Sequence, residues 1–120
     1  MGDHFLLNLY ECDVEKLNNE KFIVEMFEQA VVEGKMTLLN LITHKFEPQG
    51  ITAVALLAES HISIHTWPEQ GSCAVDVYTC GTTGRPRLAC DYIINSLGCS
   101  DPRVTHVKSC LLYTSPSPRD

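Results

Sequence analysis

Hydrophobic and polar positions change period several times along the chain, and each change marks an element. Residues 4–11 alternate in part, with Phe5, Leu7 and Leu9 on one face, which predicts a strand. Asp13 stands where a cap belongs for a helix over 14–33. There Ile23, Met26, Phe27, Ala30 and Val31 follow i, i+3, i+4 spacing, and Gly34 is the expected stop. Residues 37–46, rich in Leu and Ile, predict a second strand, and Glu47-Pro48-Gln49-Gly50 a turn. Residues 51–58 are almost continuously apolar, the pattern of a strand buried on both faces. Period two returns over 61–66, with His61, Ser63 and His65 on one face and Ile62, Ile64 and Thr66 on the other. After a turn at 68–71, residues 72–79 predict a further strand, with Cys73, Val75 and Val77 opposite Ala74, Asp76 and Tyr78. Cys80-Gly81-Thr82-Thr83-Gly84 is a loop, and Pro86 suits the first turn of a helix. That helix carries Ala89, Tyr92, Ile93, Ser96 and Leu97 on one face and stops at Gly98; residues 104–108 begin a last strand.

The order strand, helix, several strands, helix, strand predicts an α+β domain over residues 1–109. Its expected form is a two-layer sandwich of a largely antiparallel sheet with two helices on one face. The other sheet face would be left open, and with this much apolar sequence a homodimer is expected. Residues 110–120 break the pattern. Thr114-Ser115-Pro116-Ser117-Pro118 has linker composition. The whole segment resembles one reading frame of a transposase-based sequencing adapter, which predicts a non-native tail.

Composition narrows the classes. A net charge of -6 argues against a nucleic-acid partner, which needs a basic footprint. No segment approaches the roughly 20 apolar residues of a membrane span. The start of the chain has no basic region followed by an apolar run, and Leu6 stands where a myristoylation motif places Ser or Thr. A cytoplasmic protein without a membrane partner is expected. The six cysteines include no Cys-x-x-Cys pair, so free thiols are expected rather than disulfides or structural zinc. His61 and His65 are four apart, a metal pair only on a helix. Ile62 occupies the place of the zinc-protease glutamate, and Pro68 argues for a strand, so no metal is expected.

Chemistry concentrates in Glu59-Ser60-His61-Ile62-Ser63-Ile64-His65-Thr66-Trp67-Pro68-Glu69. By residue type alone the two histidines are more often structural than catalytic, since polar groups on buried strands need partners anyway. Cys80 is either a small buried residue or, with His65 as base, the nucleophile of a Cys-His hydrolase. The full string, followed by Asp76-Val77-Tyr78-Thr79-Cys80-Gly81, resembles the core of the prokaryotic S-adenosylmethionine decarboxylase proenzymes. The resemblance extends upstream through Tyr10-Glu11-Cys12-Asp13 and His44-Lys45-Phe46-Glu47-Pro48-Gln49-Gly50, and covers everything before the tail.

That resemblance implies self-cleavage between Glu59 and Ser60. Ser60 attacks the Glu59 carbonyl to give an ester, and His65 is the proton acceptor in processing. A pyruvoyl group then stands where Ser60 was, with a β chain of 1–59 and an α chain from 60. It implies a Schiff base between that group and S-adenosylmethionine, with Cys80 as proton donor after carbon dioxide leaves. Phe46 and His65 are implied to stack on the adenine and Glu69 to contact the ribose; packing and a solvated turn are the plain alternatives for Phe46 and Glu69. Thr52 stands where relatives often carry a serine that assists processing. The implied product is the aminopropyl donor for spermidine. A same-fold arginine or ornithine decarboxylase is an alternative, and an unprocessed binding or regulatory subunit is one of another class.

Overall fold

The computed structural model describes residues 2–80 and 84–109. In chain order these form β1 (Gly2–Tyr10), α1 (Val14–Leu17), α2 (Glu20–Glu33), β2 (Leu38–Lys45), β3 (Ile51–Leu57) and β4 (Ser60–Trp67). A single 3-10 turn at Pro68–Gln70 leads into β5 (Ser72–Thr79), α3 (Pro86–Ser96) and β6 (Asp101–Ser109). The strands make one antiparallel sheet in the order β2-β3-β4-β5-β1-β6, with β4 and β5 at its centre.

Alternation decides which side of the sheet is dry. Phe5, Leu7, Ile62, Ile64, Val75 and Val77 point to one face and are buried there against Ile23, Phe27 and Ala30 of α2 and Ala89 and Ile93 of α3. This is the α+β sandwich expected, with both main helices on one face. No helix among the described residues is long and apolar enough to cross a membrane. The tail expected at 110–120 lies outside the described residues.

Two elements depart from the sequence expectation. The helix expected over 14–33 is broken at Asn18-Asn19. Asp13 caps α1 by accepting from the N–H groups of Glu15 and Lys16, and Asn19 starts α2 afresh by accepting from Phe22 at 3.0 Å. A short polar side chain that bonds its own backbone competes with helix continuation, and here it wins. The second departure is β3, which is buried on one face only. Ile51, Ala53, Ala55 and Leu57 are at most 2% exposed, whereas Val54 is 38% and Leu56 52% exposed.

Those two residues belong to the sheet face turned away from the helices. Leu6, Ile42, Trp67 and Val107 share it, and each is at least 38% exposed. At its centre the Asp76 carboxylate accepts from His4 Nε2 and lies 3.5 Å from His61 Nε2. The open face is therefore an apolar surface around a small polar centre.

Candidate active site

The link between β3 and β4 is short. Leu57 pairs with Ser60, so Ala58 and Glu59 alone make the turn. A two-residue hairpin needs positive φ, which Gly, Asn and Asp supply at low cost. Here Glu59 carries it, at φ 63. A glutamate in that region stores roughly 1 kcal/mol or more of strain beside the next peptide bond. The carbonyl of Glu59 also accepts two hydrogen bonds from one residue: the Cys80 N–H at 3.2 Å and the Cys80 thiol at 2.9 Å. Two donors on one carbonyl oxygen draw charge from its carbon, the arrangement that stabilises an oxyanion when a nucleophile adds.

The nucleophile at hand is Ser60, whose hydroxyl is on the residue that follows that carbonyl. Ser60 pairs with Thr79 across β4 and β5 and lines a cavity of about 120 Å³ with Lys35, Met36, Thr37 and Gly84. Cys80, one residue past Thr79, is exposed. Glu59, Ser60 and Cys80 thus come together at one end of the sheet, from a hairpin and the end of the neighbouring strand.

His65 does not join them within the chain. It lies five residues along β4, and at about 3.3 Å per residue that separates it from Ser60 by roughly 17 Å. Its Nδ1 is instead 2.9 Å from the Thr52 hydroxyl on β3, with which it is in register. Both line a cleft of about 280 Å³ that also contains Phe46, Gln49, Trp67 and Glu69. Phe46 is 46% and Trp67 41% exposed, so both rings are partly open to a ligand, while the His44 ring packs edge-on with Phe46 at 4.5 Å between centroids. Four residues singled out from the sequence (Phe46, Thr52, His65 and Glu69) therefore meet at one end of β4. The other three meet at the opposite end.

His61, on the same face as His65, is occupied elsewhere. It stacks with Tyr78 at 5.7 Å between ring centroids and faces Asp76. Sequence reasoning overlooked Trp67, although the alternation that aligned His61, Ser63 and His65 extends to it. It also overlooked Gln49 and the backbone N–H of Cys80. Only the pairing of strands distant in sequence brings these into place.

Comparison with known proteins agrees with the geometry. Residues 3–109 match the family described as S-adenosylmethionine decarboxylase. The chain is 55% identical over 98 residues to the S-adenosylmethionine decarboxylase proenzyme of Prochlorococcus marinus (strain MIT 9313), covering 82% of this chain and 78% of that one. It is 42% identical over 108 residues to the proenzyme of that name in Caldicellulosiruptor saccharolyticus, covering 90% and 87%. The crystal structure of the adenosylmethionine decarboxylase from Aquifex aeolicus VF5 matches with a TM-score of 0.87 at 37% identity, over 98% of each chain. The class defined by fold and site is an α+β enzyme. The chain belongs to the S-adenosylmethionine decarboxylase family.

Proposed function

We propose that this chain is a self-processing decarboxylase of S-adenosylmethionine that uses a pyruvoyl group made from its own Ser60. The observation that carries the reading is the Glu59 carbonyl, strained at φ 63 and held by both donors of Cys80 next to a serine hydroxyl. Ser60 Oγ adds to that carbonyl, the C–N bond breaks, and the peptide becomes an ester. Strain at Glu59 is relieved in this step, and Cys80 stabilises the charge that develops on oxygen. Removal of the proton on Ser60 Cα then expels the Glu59 carboxylate and separates 1–59 from the rest. Water converts the remaining dehydroalanine to the pyruvoyl group with loss of ammonia. When formed, that group supplies a carbonyl that takes up the electron pair released as carbon dioxide leaves. Cys80, exposed at the same end of the sheet, returns a proton to the product carbon.

The base for the Cα proton is the remaining problem, because His65 of the same chain is too far away. A homodimer solves it. The apolar run of β3 predicts burial on both faces, yet Val54 and Leu56 are bare in one chain. A second copy laid face to face on the open sheet would cover them. With the two-fold axis running across the strands, the Ser60 end of one protomer meets the cleft end of the other. The partner subunit's His65, held by the partner subunit's Thr52, then serves Ser60 and Cys80. The partner subunit's Phe46 and the partner subunit's Glu69 present an aromatic face and a carboxylate to the adenine, sulfonium and ribose. We also read residues 110–120 as foreign to this domain, which the end of the family match at residue 109 supports.

Intact-mass measurement tests the proposal. Two fragments meeting at Glu59/Ser60, the second bearing a pyruvoyl mass, are expected, and Ser60→Ala stays whole. A chain that remains uncleaved on incubation sinks the enzyme reading and leaves a binding or regulatory subunit. Carbon dioxide release is expected from S-adenosylmethionine; release from arginine or ornithine instead would reassign the substrate.

A further inference from the structure

Beneath the cleft lies a brace that neither the resemblance nor the reaction accounts for. Thr66 is 5% exposed, on the core face of β4. Its hydroxyl accepts from the N–H of Ile51 at 2.9 Å and donates to the carbonyl of Leu17 at 2.8 Å. One residue earlier, the N–H of Gly50 donates to Asn18 Oδ1 at 2.9 Å, and the Asn18 carbonyl accepts from Lys45 Nζ at 2.6 Å. Two consecutive amides at the end of the loop 46–50 are thus held by side-chain oxygens from β4 and from the joint between α1 and α2. The start of the loop is closed by the Phe46 N–H on the Gly50 carbonyl at 2.8 Å. Gly50 has φ 107, a conformation other residues rarely adopt.

The break in the helix expected over 14–33 now has a structural use. A continuous helix would hold the Leu17 carbonyl and the Asn18 backbone in its own ladder. Broken at Asn18-Asn19, the chain offers the Leu17 carbonyl to Thr66 and the Asn18 side chain to Gly50. Phe46 rides on the loop, whereas His65 and Trp67 ride on β4, so the brace fixes the gap between them.

We propose that Thr66 and Asn18 are positioning residues that set the height of Phe46 over the cleft and so the affinity for the aromatic nucleoside of the substrate. The proposal rests on the cleft being the nucleoside site. Loss of the aromatic contact across that gap is expected to cost about tenfold in binding.

Steady-state decarboxylation of S-adenosylmethionine by the self-cleaved enzyme tests it, with cleavage followed by intact mass and folding by circular dichroism. Thr66→Val and Asn18→Ala are expected to raise KM about tenfold with kcat within about twofold, the pattern of lost uniform binding. Thr66→Ser, which keeps the hydroxyl, is expected to restore KM. Phe46→Ala and Glu69→Gln check the cleft itself. If those two leave KM unchanged, the nucleoside reading fails. If they raise KM while Asn18→Ala and Thr66→Val do not, the brace alone is refuted. A loss shared equally by kcat and KM and not rescued by Thr66→Ser also overturns it. Should Thr66→Val fail to fold, Asn18→Ala decides, since it removes one bond from a half-buried side chain.

Discussion

Cys80 and Glu59 make the contact on which the proposed processing turns, because one residue gives two donors to the carbonyl of the other. Cys80→Ala removes the thiol and leaves the backbone N–H, so cleavage is expected to slow by about 10²-fold without stopping, the typical loss for one oxyanion donor. Cys80→Ser keeps a side-chain donor and is expected to recover most of that rate. Fragment appearance followed by intact mass reads both; a Cys80→Ala chain that cleaves at the wild-type rate would remove the thiol from processing. Strain at Glu59 makes a less obvious prediction. Glu59→Gly relaxes the positive φ, so in the uncleavable Ser60→Ala background it is expected to raise stability by about 1 kcal/mol. Urea unfolding measures this. With Ser60 restored, the same change is expected to slow cleavage roughly fivefold, as a barrier higher by about 1 kcal/mol requires. Sequence alone named Glu59, Ser60 and Cys80. It was blind to the strain and to the second donor, because a backbone φ and a contact between residues 59 and 80 belong to the paired strands.

Among the elements, α2 and α3 show how well periodicity reports burial and how poorly it reports boundaries. Every α2 position expected inside (Ile23, Met26, Phe27, Ala30 and Val31) is buried. The N-terminal boundary was displaced by Asn19, whose cap is worth about 1 kcal/mol, so Asn19→Ala is expected to lower stability by that amount in urea unfolding. On α3, Cys90 sits in the core at 2% exposure. Burial first, and then the neighbouring Asp91, push its thiol from the ordinary 9.0 up to about 12. The folded state therefore keeps a proton that the unfolded chain gives up. Stability from this group is complete below pH 9.0 and is lost as pH rises toward about 12. The slope over that window is about 1.4 kcal/mol per pH unit. Thermal melts between pH 8 and 11 are expected to show this decline, and Cys90→Ala to lessen it without abolishing it, because the hydrogen bond with Cys12 and burial raise the Cys73 thiol over the same window; an equally steep decline in the variant would remove Cys90 from it.

At the scale of the whole molecule the open sheet face is decisive. Leu56→Asp, placed on its exposed apolar surface, is expected to yield a monomer by sedimentation and a chain that no longer cleaves. The sharper measurement mixes two inactive chains. Ser60→Ala retains His65, and His65→Ala retains Ser60, so a site shared between protomers predicts cleavage of the His65→Ala chain in the mixed dimer. If His65 acts on its own Ser60, mixing restores nothing. Isotopic labelling of one chain identifies which is cut.

Sequence by itself determined the strand and helix order, the dry and open faces and the stretch in which the candidate chemistry concentrates. These follow from local rules: a strand repeats every two residues and a helix every 3.6, so each face is written in neighbouring positions. What the tertiary structure decided is where the chemistry meets. A strand carries its residues apart by about 3.3 Å each, so Ser60 and His65, five apart in one motif, stand at opposite ends of β4. The same pairing of strands gathers Phe46, Thr52, His65 and Glu69 into one cleft. It also sets Cys80 against Glu59 and ties the loop 46–50 to Asn18 and Thr66. Distances between residues far apart in the chain depend on register and layer packing, which no local pattern encodes.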